Sequence, residues 1–140
     1  MMMKHTAAIL IATSLALAMP ALAGPGQDAL LKQYKTLAIK ADPAFKGFSA
    51  ARGQAFFSGD HSGGNPDTPS CQSCHTNSPL LAGRTRAGKS IDPMAVSRTP
   101  DRFTDFAKTE KWFGRNCNTV LGRECSAAEK GDVIAYLSGV

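Results

Sequence analysis

Past residue 23, this 140-residue chain has no apolar run long enough to span a bilayer. It has no internal repeat, and no segment alternates apolar and polar residues as a half-buried strand does. Those gaps set aside integral membrane, repeat and β-rich architectures. Metal donors are scarce as well. Of five methionines only Met94 lies past residue 23, and of three histidines only His61 and His75. Charge of either sign is modest. The formal charge of +5 falls to +4 without Lys4. Such a surplus is too small to point to nucleic acid. It fits ordinary solubility, or association with an acidic protein partner.

What the chain does have begins with a leader. Lys4 precedes an uncharged apolar stretch from Ala7 to Met19, and Ala21-Leu22-Ala23 has the small-x-small form of a cleavage site. Residues 1–23 are therefore expected to be a secretory signal peptide, removed before Gly24 in export to the periplasm. The remainder divides into an N-terminal helix and linker over 24–45 and a main domain over 46–140.

Helical spacing and helix-start signals predict four helices. Leu30, Leu31, Tyr34 and Leu37 predict a helix over Gln27–Lys40 that ends at Asp42-Pro43. Gly53, Phe56 and Phe57 predict a second over Ser49–Ser58. Thr99-Pro100-Asp101 has the form of a cap followed by a first-turn proline, which predicts a third running to about Arg115. Ser126 and Glu129 form a capping box that opens the last helix. That helix is expected to bury Val133, Ile134 and Leu137 and to leave Lys130 and Asp132 outside. Residues 59–70 and 77–98 are rich in turn formers and are expected to be irregular. The fold class is all-α, with a core too poor to stand without help.

The help is written at Cys71-Gln72-Ser73-Cys74-His75. In an exported chain, CxxCH marks covalent haem c attachment. The two thiols are spaced to add to two vinyl groups, and the adjacent His75 becomes an axial ligand of the iron. A redox CxxC needs a strand–helix unit that is missing here. A zinc site needs a second ligand pair at similar spacing, which Cys117 and Cys125 do not supply. A large apolar haem also gives the 77–98 loop a surface to wrap.

The second axial position is open on the residues alone. Met94 follows His75 by 19 residues. It serves either as a thioether ligand or as loop packing. His61 fits a solvated surface role. Asn116 fits a helix C-cap better than it fits a ligand. Arg84, Arg86 and Lys89 are candidates to pair with haem propionates or to form a solvated basic loop. Trp112 and Phe113 are candidates to line the pocket or to serve as ordinary core aromatics.

Several segments together resemble one family. They are Gly64-Asn65-Pro66-Asp67-Thr68-Pro69-Ser70, Arg84-Thr85-Arg86-Ala87-Gly88-Lys89, Thr99-Pro100-Asp101-Arg102-Phe103-Thr104, Glu110-Lys111-Trp112-Phe113-Gly114-Arg115-Asn116-Cys117-Asn118 and Gly122-Arg123-Glu124-Cys125. The chain is similar to the sphaeroides haem proteins, small high-spin monohaem cytochromes that bind oxygen. The resemblance implies a class I cytochrome c-like fold, Asn116 as the distal iron ligand and a Cys117–Cys125 disulfide, with Asn118 close by as a rival donor. It further implies electron transfer with a redox partner such as a dihaem cytochrome, and dioxygen or nitric oxide as ligands of the reduced haem. The alternatives are a plain carrier with His75 and Met94 as ligands, and a terminal enzyme acting on oxygen or nitric oxide. No acid–base pair in the sequence singles out that enzyme.

Overall fold

The computed structural model describes residues 24–140, so the expected signal peptide lies outside the described residues. Five helices and one small hairpin make up the fold among those residues. Helix α1 spans Pro25–Ala41, with Pro25 in the first turn after Gly24. It buries Gln27, Leu30, Tyr34 and Ala38. The buried stripe thus runs through Ala38, and the expected Leu37 stays exposed. Helix α2 spans Ala50–Ser58 and is capped by the Ser49 hydroxyl, which accepts from the Arg52 amide. Helix α3 is a single turn, Gln72–His75.

The segment after α3 is more ordered than its composition suggests. Strands β1 (Gly83–Arg84) and β2 (Ser90–Ile91) pair antiparallel, with Gly83 opposite Ile91 and Arg84 opposite Ser90. Helix α4 spans Phe106–Leu121, not Thr99 to Arg115. Its cap is Asp105, whose carboxylate accepts the Lys108 amide at 2.7 Å. The Thr99-Pro100 pair instead opens a run of turns, which ends at Phe103 with a left-handed φ of 58°. The far end of α4 reaches Gly122, which takes the left-handed conformation suited to a C-cap. Asn116 therefore lies inside the helix and caps nothing.

Helix α5 (Ala127–Ser138) carries the expected capping box between Ser126 and Glu129. It packs against both α1 and α2. Ile134 and Leu137 are fully enclosed, and truncating either to Ala is expected to cost about 2–5 kcal/mol. Because α5 has neighbours on several sides, Lys130 and Asp132 are buried, contrary to expectation. Each has a partner. Asp132 accepts two bonds from Arg52, at 2.7 and 2.9 Å, and one from the Ser49 amide. Lys130 donates to Glu110. At the α2–α5 crossing, Gly53 lies against the backbone of Asp132, where any Cβ would collide with the Asp132 carbonyl. That contact sets how closely the two helices approach. Among the described residues the buried apolar side chains form three clusters, and Phe113 packs against all of them.

Candidate haem-binding site

A cavity of about 710 Å³ opens between these elements, within the size range of cofactor pockets. Helix α2 contributes Phe56 and Phe57, and α3 contributes Cys71, Cys74 and His75. The 92–105 segment adds Met94, Arg102 and Phe103. Helix α4 adds Trp112, Phe113 and Asn116. Residues far apart in sequence thus converge on one largely apolar space.

The α3 turn is set by backbone packing. The His75 amide donates to the Cys71 carbonyl at 3.1 Å, which closes the turn and puts both thiols and the imidazole on one short element. Thr76, at φ 63°, ends it. Gly83 of β1 then packs on the α3 backbone, where a Cβ would clash with the Cys74 carbonyl. The hairpin braces the turn from behind.

Burial sets the ionisation of these groups. It pushes the Cys71 thiol up to about 11. Reactive CxxC thiols have depressed pKa values, so Cys71 is poorly suited to attack a disulfide. Burial, aided by the positive charge of Arg102, pushes His75 down to about 4. The imidazole is therefore neutral near pH 7, the form that donates a lone pair to a metal. His75 Nδ1 is buried with no hydrogen-bond partner among the described residues. The Phe57 ring lies 6.1 Å from the imidazole, centre to centre. No group of three or more His, Cys, Asp or Glu side chains is placed to hold a bare metal ion among the described residues.

The other candidates fall into two sets. Asn116, Met94, Arg86, Trp112 and Phe113 line the cavity. Met94 also packs with Phe57, Val133 and Leu137. Trp112 is 48% exposed, with the Arg115 guanidinium 5.4 Å from its ring centre. Arg86 stays exposed, 3.6 Å from Asp67. Of the remaining candidates, only Cys117 touches the cavity wall. Asn118 turns back along the helix and donates to the Gly114 carbonyl at 3.0 Å. Arg84 donates to the Gly88 carbonyl at 2.9 Å, and Lys89 sits at the exposed turn of the hairpin. His61 bonds the Phe56 carbonyl through Nε2 at 2.8 Å. Cys117 and Cys125 are joined as a disulfide and lie in a buried cluster with Val120 and Leu121. Sequence reasoning did not single out Arg102 as a site residue. A lone Arg beside a proline-led turn carries no signal for it.

Residues 43–137 match a family described as a domain of unknown function, DUF1924. Cytochrome c-type protein SHP of Cereibacter sphaeroides is 51% identical over 126 residues, covering 89% of this chain and 93% of that protein. The chain belongs to the sphaeroides haem protein family. The structure of oxidized SHP, described as an oxygen-binding cytochrome c, aligns with a TM-score of 0.72 at 48% identity. That alignment covers 79% of this chain and 94% of that one. The solution structure of cytochrome c'' from Methylophilus methylotrophus, which concerns haem-ligand detachment, aligns with a TM-score of 0.67 at 36% identity. It covers 80% of this chain and 91% of that one.

As a sphaeroides haem protein, the chain has the class I cytochrome c-like fold, and its cofactor is one covalently attached haem c. The residues present fit that cofactor. The cavity is large, its walls are mostly apolar, and a neutral imidazole and two thiols meet at one end of it. Among the described residues, no helix is long and apolar enough to cross a membrane.

Proposed function

We propose that this cytochrome is a periplasmic electron-transfer protein whose distal ligand, Asn116, is displaceable, so that the reduced protein binds dioxygen or nitric oxide. Bound haem c supplies an iron that exchanges one electron and, when ferrous, has an affinity for diatomic gases. In this reading Cys71 and Cys74 would tether the cofactor by thioether bonds, His75 would offer its neutral imidazole to the iron, and Asn116 would offer its amide oxygen. An amide oxygen is a hard, neutral, weak donor that suits ferric iron better than ferrous. Asn116 would therefore bind the oxidised form more tightly than the reduced one.

The observation that carries this reading is the position of Asn116 within α4. It lines the same cavity as Cys71, Cys74 and His75, whereas Asn118 spends its amide on the helix backbone. The relatives add support, one described as oxygen-binding and the other discussed in terms of haem-ligand detachment. The electron donor is a redox protein, a dihaem cytochrome in the family pattern. In the same reading residues 1–23 direct export and are cleaved before Gly24, so N-terminal sequencing of the purified holoprotein should begin there.

The test compares Asn116→Ala, Asn118→Ala and the parent by stopped-flow spectroscopy with azide on the ferric form and carbon monoxide on the ferrous form. Asn116→Ala should bind azide markedly faster, and Asn118→Ala should behave as the parent does. The ferrous parent should be five-coordinate. A six-coordinate low-spin ferrous parent, or identical azide kinetics in Asn116→Ala and parent, would sink the proposal.

A further inference from the structure

Four basic side chains line the cavity, and one differs from the others. Arg86, Lys108 and Arg115 are exposed, whereas Arg102 is half-buried. Burial lowers its pKa against the opposing fields of Asp92 and Asp101. Arg102 and His75 line the same cavity, and the charge of Arg102 is felt at the imidazole.

Arg102 is held from both its backbone and its side chain. Gln27 of α1 is 2% exposed, and its Nε2 donates to the carbonyls of Pro100 at 2.9 Å and Arg102 at 2.7 Å. Arg102 itself donates from Nε to the Pro93 carbonyl at 2.6 Å and from Nη2 to the Asp92 carbonyl at 2.5 Å. The next residue, Phe103, takes a left-handed φ of 58°, rare for a bulky side chain. Conformations of that kind persist only where the surroundings over-determine them. One strained residue, one enclosed glutamine and two backbone carbonyls together fix a single guanidinium at the wall.

What that guanidinium lacks is a carboxylate in direct contact, since Asp92 and Asp101 act on it only from a distance. Its two bonds go to neutral carbonyls, and it forms no ion pair among the described residues. A half-buried cation bonded only to neutral groups keeps much of its desolvation cost uncompensated. The carbonyl bonds use only part of its set of five N–H donors, and the Nη1 group has no partner among the described residues. We propose that Arg102 seats a haem propionate, taking one carboxylate on the Nη groups that the carbonyls leave over. A planar guanidinium fork matches a carboxylate in geometry as well as in charge. The proposal rests on the haem c cofactor and is independent of which residue takes the distal face. Arg84 is bonded to its own hairpin and Arg86 stands exposed beside Asp67, so neither supplies an equivalent buried charge.

The test uses purified holoproteins of the parent, Arg102→Gln, Arg102→Lys and Arg86→Gln, matched for haem by pyridine haemochrome and for folding by circular dichroism. Gln keeps a donor for the neighbouring carbonyls and removes the charge. Two quantities are read: the propionate bending mode in the resonance Raman spectrum, and the midpoint potential. Arg102→Gln should shift the propionate mode and lower the midpoint, because a lost positive charge favours ferric iron. Arg102→Lys should restore most of the midpoint and leave the mode displaced, since an ammonium cannot reproduce the fork. Arg86→Gln should leave the mode unmoved. The spin-state bands in the same spectra report the axial ligands separately, so an error about Asn116 would appear there and not in the propionate mode. An unshifted propionate mode in Arg102→Gln, or an equal shift in Arg86→Gln, overturns the proposal.

Discussion

The Tyr34 hydroxyl donates to Glu110 Oε1 at 2.6 Å, bridging α1 and α4. Lys130 of α5 closes on the same carboxylate at 2.8 and 3.0 Å. Glu110 precedes Asn116 by six residues on one helix. The position of the proposed distal ligand is thus fixed in part by a polar triangle that does not itself line the cavity. Tyr34→Phe removes one corner and should lower stability by about 1 kcal/mol, measured as a shift in the urea midpoint. No loss would mean that the Tyr34 bond contributes nothing net.

The same carboxylate gives a pH prediction. Burial raises the Glu110 pKa, but hydrogen bonds from Lys130 and Tyr34 and the Lys130 charge outweigh it and leave the group below its ordinary value of 4.5. A carboxylate depressed on folding contributes stability that is present above its unfolded pKa and lost as pH falls through its folded one. Glu110→Gln should therefore destabilise the protein most near neutrality. The gap between variant and parent should close as pH drops below 4.5. Urea titrations at several pH values read this directly, and a gap that widens in acid would contradict it.

Cys71→Ala and Cys74→Ala should each weaken covalent haem retention, and the double variant should abolish it. Haem staining after denaturing electrophoresis provides the measurement. A haem-positive band from the double variant would refute the attachment site.

Met94 also lines the cavity, so its role needs a separate check. Met94→Leu nearly conserves volume and removes the sulfur. Packed as it is with Phe57, Val133 and Leu137, the side chain should be replaceable with little change in the ferric spectrum. Loss of a sulfur-to-iron charge-transfer band would instead favour the plain His–Met carrier.

The Cys117–Cys125 disulfide has a sequence separation of eight residues. By the chain-entropy argument, a loop of that length adds about 2.5 kcal/mol. The double Cys→Ser variant should lose roughly that amount in chemical denaturation, and its azide binding should quicken if the bond also restrains Asn116. Unchanged stability would show that the buried cluster around it holds without the cross-link.

Much of this was legible in the sequence because local signals and tertiary packing agree. The capping box at Ser126 and the helical spacing of Leu30 and Tyr34 depend on neighbours a few residues away, and the structure follows them. The start of α4 was misread where two local signals compete. Thr99-Pro100 has the form of a helix start, yet Phe103 at φ 58° breaks the run and Asp105 provides the cap. Lys130 and Asp132 were placed outside because periodicity sees one helix and cannot see that α5 has neighbours on more than one side. Their partners, Glu110 and Arg52, lie 20 and 80 residues away. Arg102 was invisible for the same reason. Its setting is assembled from Gln27, Asp92 and Pro93, and no short motif contains all of them.

The two sulfurs of the disulfide belong to residues that are 4% and 5% exposed. Thiol–disulfide exchange requires a thiolate to reach a sulfur directly, so a small reductant acts only during the moments when this corner swings open. The cleavage rate in excess reductant therefore counts those openings, like a clock built into the end of α4. The reductant also keeps the haem ferrous, so the clock is run with and without carbon monoxide, and it would show whether a ligand in the cavity quiets the whole end of the helix or leaves its backbone unmoved.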